Sequence, residues 1–64
     1  MLGENVKRIR TQKGLSQDKL SKLAGITLTT LVKIESGAND NPKLKTLKAI
    51  ADALEVSVCD LIES

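Results

Sequence analysis

The chain has 64 residues, a single Cys, no His and no Phe, Tyr or Trp. One small aliphatic core is therefore the most it can build, without the ligands for a metal cluster, an internal disulfide or a His-based triad. The net charge of +2 conceals a division: residues 1–48 hold all ten Lys and Arg against four acids, for +6, while Asp52, Glu55, Asp60 and Glu63 stand without a cation in residues 49–64, for −4. In chain order, Leu2, Val6 and Ile9 recur at i, i+4 and i+7 and predict a helix over 2–13 with one apolar stripe. Lys7, Arg8, Arg10 and Lys13 occupy its other faces, and Gly14 stops it. Ser16 is a good N-cap for a second helix, whose buried stripe is Leu20, Leu23 and Ala24 and whose end is Gly25. Thr27 can cap a third helix with Leu31 and Ile34 inward and Gly37 at its end.

Residues 37–43 are the most turn-rich stretch, and Pro42 forces Asn41 out of helical geometry. A fourth helix from about Leu44 to Leu54 carries Leu44, Leu47, Ile50, Ala51 and Leu54. Ser57 and Asp60 form a capping-box pair at the start of a short last helix with Val58, Leu61 and Ile62. No segment alternates, so no strand is expected. The expected architecture is all-α: five short helices around one aliphatic core, in a single domain over 1–64. At this size about 4,000 Å² of surface should stay exposed.

The window from Gln17 to Ser36 holds helix, glycine turn and helix, with the small Ala24 and Gly25 at the crossing. Only Ile26 and Thr27 separate Gly25 from the next helix, so the two helices must meet at a fixed angle. This is the helix-turn-helix plan, in which the second helix of the pair enters the DNA major groove.

On these residues the chain resembles the Cro/cI-type helix-turn-helix domain of phage repressors and bacterial regulators, the XRE family. The resemblance is carried by Arg10, Gly14-Leu15-Ser16-Gln17, Leu20, Ala24-Gly25-Ile26 and Ile34-Glu35-Ser36-Gly37. It continues through Asn41-Pro42, Leu47, Ile50-Ala51, Ala53-Leu54, Val56-Ser57-Val58 and Leu61-Ile62, nearly end to end. It implies a compact lambda-repressor-like fold. Gln17 would touch a phosphate and brace the recognition helix. Thr27, Leu28, Thr29, Val32 and Lys33 would form the outward face that reaches base edges or nearby phosphates. Ser36 and Lys43 would grip the backbone. Arg10 and Glu35 match a family pair that ties the first helix to the third.

Two departures from the family are visible. Recognition helices of this type usually present Gln, Arg, Asn or Ser, whereas this one presents Leu28 and Val32, an exposed apolar pair at i and i+4. Thymine methyl groups, a protein partner or a second copy, and incidental surface are three competing explanations. The 38–43 loop, where relatives often carry Lys or Arg, holds Asp40 and Asn41 with Lys43 as its cation.

The expected function is sequence-specific binding of double-stranded DNA by a transcriptional regulator, of the repressor type. It would act as a homodimer on a two-fold operator, pairing through the acidic, apolar segment around 56–62. A protein-interaction module on the same fold, such as an antitoxin or antirepressor subunit, is the alternative. No cofactor, metal, small-molecule substrate or membrane is expected. No apolar run nears the roughly 20 residues needed to cross a bilayer, and a lone thiol fits a reducing cytoplasm. Enzyme chemistry is not expected, because carboxylates and Lys would have to supply it and none cluster. Cys59 reads as a semi-exposed thiol without a function.

Overall fold

A computed structural model describes residues 1–63. Among these residues five helices follow one another: α1 (Leu2–Gln12), α2 (Gln17–Ala24), α3 (Leu28–Ser36), α4 (Leu44–Leu54) and α5 (Val58–Ile62). Three begin on the expected caps. The hydroxyls of Ser16, Thr27 and Ser57 accept hydrogen bonds from the backbone N–H groups of Lys19, Thr30 and Asp60. At Ser57 the capping box is complete, since Asp60 Oδ2 accepts from the Ser57 N–H at 3.0 Å. This reciprocal closure gives the five-residue α5 a defined start despite its length.

Val6, Ile9, Leu20, Leu31, Ile34, Ile50, Ala51, Leu54 and Leu61 form the core, which draws on all five helices. α1 packs on α3 and α5, α2 on α3 and α4, and α4 on α5. The helix pair α2–α3 thus lies on one side of the core and α5 on α1 and α4. The molecule measures 22 × 20 × 19 Å and exposes 4064 Å².

One expectation about the core is corrected. Periodicity puts Leu23 in the buried stripe of α2, but it is 53% exposed. The inward face is Leu20, Ser21 and Ala24 instead, with Ser21 buried and its hydroxyl donated to the Asp18 carbonyl at 2.7 Å. A small residue there fits a helix that must meet both α3 and α4. Leu44 and Ile62 also sit at the ends of their apolar stripes and are exposed.

Two buried features had no signal in the apolar pattern. Asn5 lies inside, donating through Nδ2 to the Leu61 carbonyl at 2.9 Å and accepting from Arg8 Nη1 at 3.0 Å. It fastens α1 to α5 with both ends of its amide hydrogen-bonded. Gly3 lies where the first turn of α1 touches the last turn of α3. A Cβ at Gly3 would overlap the Ile34 carbonyl oxygen and come within 2.8 Å of that of Glu35. The positive end of one helix dipole rests here on the negative end of another.

Candidate nucleic-acid interface

The turn between α2 and α3 is built on Gly25, whose φ of 69° is the left-handed conformation that glycine adopts without a Cβ penalty. Its N–H returns to the Lys22 carbonyl and the Ile26 N–H to that of Ser21, so the end of α2 is closed by two backbone bonds. The partly buried Ala24 and Ile26 pack against the core on either side. The chain then enters α3 through the Thr27 cap.

A polar network fixes the angle of α3 from the other end. The Arg10 guanidinium donates through Nε to Glu35 Oε2 at 2.8 Å and through Nη2 to Oε1 at 3.1 Å. Its third contact, from Nη1 to the Leu15 carbonyl at 2.7 Å, grips the α1–α2 link. Gln17 Nε2 donates to Glu35 Oε1 at 3.1 Å. The two charged side chains are only 10% and 3% exposed. A bidentate, buried pair of this kind is geometrically demanding, and here it joins α1, α2 and α3 through a single carboxylate. Among the described residues no buried side-chain N or O lacks a partner.

The outward side of α3 is continuous. Leu28, Thr29, Val32, Lys33 and Ser36 are all exposed, as is the cap Thr27. Leu28 and Val32 keep 42% and 41% of their surfaces in solvent, one turn apart. The polar groups around them are not equally available. The Thr27 hydroxyl accepts from the Thr30 N–H at 3.1 Å and lies 2.8 Å from the Thr30 hydroxyl. The Ser36 hydroxyl is shared between the Lys33 carbonyl and the Ala38 N–H. Both are engaged in shaping the two ends of α3. The ammonium of Lys33 and the hydroxyl of Thr29 are left to reach outward.

Beyond Gly37 the loop folds back, with the Asn39 N–H on the Lys33 carbonyl at 2.9 Å and Pro42 buried. It delivers Lys43, which is exposed at the N-cap of α4 with no side-chain hydrogen bond to close that helix end. Lys45 and Lys48 are exposed in the turns that follow. Asp40 is exposed in the same loop. On α2, Lys22 pairs with Asp18 at 3.1 Å, so its charge is partly offset. The acidic Asp52, Glu55, Asp60 and Glu63 lie on or beside the end of α4 and α5. No cleft of ligand size opens among the described residues, and no group of three or more Cys, Asp or Glu side chains there could hold a metal. None of their helices is long and apolar enough to cross a membrane.

Comparisons with known proteins agree with this geometry. The helix-turn-helix family model matches residues 6–61. The transcriptional regulator SinR of Bacillus subtilis is 33% identical over 63 residues, which are 98% of this chain and 57% of SinR. The chain spans about half the length of the curated relatives it matches (56% of a second SinR and 42% of SlrR). A crystal structure of SinR in complex with DNA superposes with a TM-score of 0.95 at 33% identity, covering 98% of this chain and 100% of that one. The restriction-modification controller protein C.AhdI of Aeromonas hydrophila superposes at 0.89 and 32% identity, covering 94% of this chain and 89% of its own.

Proposed function

Because the chain belongs to the Cro/cI-type helix-turn-helix family, we propose that it binds double-stranded DNA sequence-specifically as a transcriptional regulator, a repressor, working in the cytoplasm without catalysis. α3 enters the major groove. The observation that carries this reading is the outward face of Leu28, Thr29, Val32 and Lys33, held at a fixed angle by the Gly25 turn and the Arg10–Glu35–Gln17 network. The likeness to a relative solved on DNA supports it.

Each residue has a chemically distinct part. Lys33 donates to a guanine edge, the acceptor-rich position of the major groove. Gln17 uses one amide proton on Glu35 and keeps the other for a phosphate. Lys43 contacts a phosphate beside the uncapped N-terminus of α4, where the helix dipole also favours an anion. Thr27 and Ser36 define where the backbone ends of α3 approach the duplex. Two copies bind a two-fold operator with half-sites about 34 Å apart, pairing through the α5 side, where Ile62 is exposed beside the partly buried Val56 and Val58.

In-vitro selection from randomised duplex DNA tests the proposal. Wild type should enrich a two-fold site, and Lys33→Ala should lose preference at one position of each half-site while still binding at low salt. Absence of both enrichment and low-salt binding would remove it. Sedimentation that finds only monomer, with and without operator, would remove the dimer. A protein-interaction role is the second reading. The apolar Leu28–Val32 pair favours it, as does a SinR structure solved with a second protein, SinI, which superposes at 0.94.

A further inference from the structure

The recognition helix of this chain is unusual in what it exposes. Its N-terminal half is apolar on one face, with Leu28 and Val32 one turn apart and 42% and 41% exposed. Two of the hydroxyls near them, on Thr27 and Ser36, are occupied at the helix ends. No Arg, Asn or Gln lies within α3. Lys33 is its one cation, exposed beside Val32. A surface of this kind has little capacity to satisfy the donor and acceptor pattern of a G·C pair beyond one contact. It fits the one apolar mark in the major groove, the C5-methyl of thymine. Charge complementarity names DNA as its occupant, since Lys33 flanks the apolar pair and Lys43 and Lys45 follow at the next helix.

We propose that Leu28 and Val32 are specificity residues that read thymine methyl groups, which makes each half-site thymine-rich under the N-terminal half of α3. The inference rests on the DNA-binding reading and adds to it the chemical class of base that is recognised. Residues one helical turn apart stand about 6 Å apart along the axis, and bases two steps apart on one strand are separated by about 6.8 Å. The two side chains therefore meet methyl groups about two steps apart. Lys33 holds the neighbouring guanine and sets the register. Thr29 contributes its own methyl or its hydroxyl at the edge of the same patch.

Replacing thymine by deoxyuridine removes the methyl and leaves every hydrogen-bonding group of the base pair unchanged. In the duplex recovered by in-vitro selection, each thymine of the half-site is exchanged in turn and binding is measured by fluorescence titration. At two positions, about two steps apart, the exchange should weaken binding by about four-fold, the factor expected for one buried methyl group. Leu28→Ala should abolish the effect at one position and Val32→Ala at the other. Both variants should keep the circular dichroism of the parent chain, because the two side chains lie on the surface. Equal binding of the thymine and uracil duplexes, with DNA binding intact, overturns this inference alone. So does an unchanged uracil penalty in both Ala variants, since the methyl would then be sensed elsewhere. A chain that binds no duplex at low salt overturns the DNA-binding reading together with it.

Discussion

At the scale of single residues, Glu35 carries the most structure per atom. Its carboxylate takes two donors from Arg10 and one from Gln17 while only 3% of the side chain is exposed. Truncation leaves a guanidinium buried without its counter-charge. Glu35→Ala should therefore lose about 3–5 kcal/mol in urea denaturation. A loss smaller than about 1 kcal/mol, the range of surface pairs, would show that solvent reaches the pair freely. Gly3 acts by having no side chain. In Gly3→Ala the new methyl would press on two carbonyl groups of α3, which are backbone and cannot rotate away. Overpacking of this kind costs about 1–3 kcal/mol. Because the displaced atoms belong to the recognition helix, DNA affinity should fall as well at a temperature where the variant remains fully folded. Stability lost with affinity unchanged would mean that α1 yields and α3 does not.

At the scale of elements, caps explain much of what could be read without coordinates. Ser16, Thr27 and Ser57 each begin a helix at the position where their hydroxyl can meet an N–H three residues on, and this is local chemistry that sequence spacing records. Lys43, like Met1 at the start of α1, occupies a cap position without a side-chain capping bond. Lys43→Ser should raise stability by about 1 kcal/mol by closing α4. It should at the same time weaken DNA binding and reduce the salt slope by about one unit through loss of a phosphate contact. Thermal denaturation and a salt titration of the same variant would separate the two effects. A gain in stability without loss of affinity would take Lys43 out of the interface. What could not be read is tertiary. Leu23 and Ser21 exchange the faces that periodicity suggests because α2 must fit between α3 and α4, and a single helix does not reveal where its neighbours stand. Asn5 looks like an ordinary polar residue until α5 folds back and offers the Leu61 carbonyl. Gly3 looks like a weak helix former until α3 arrives. The Arg10–Glu35 pair was readable only through family resemblance, since the two residues are 25 positions apart. The outward face of α3 was legible because the inward pair Leu31 and Ile34 leaves the remaining positions to solvent, but which hydroxyls were already engaged was not.

At the scale of the whole molecule, charge and packing are arranged together. With about three to five phosphates neutralised per copy, log K should fall with log salt at a slope of roughly −3 to −4.5. A salt-independent complex, measured by titration between low and physiological salt, would contradict electrostatic docking. The placement of α5 adds a kinetic consequence. This helix packs on α1 and α4, so Asp60 and Glu63 stand off the α2–α3 side, where Lys33 and Lys19 are exposed. A domain polarised in this way experiences a torque in the field of a duplex before any atom touches it. It arrives with the recognition helix leading, and fewer of its collisions are wasted on the wrong side. Steering of this type raises association rates by about ten-fold to a thousand-fold at low ionic strength. Asp60 and Glu63 would thus act on the encounter itself, in the brief interval when the molecule is still turning to face its target.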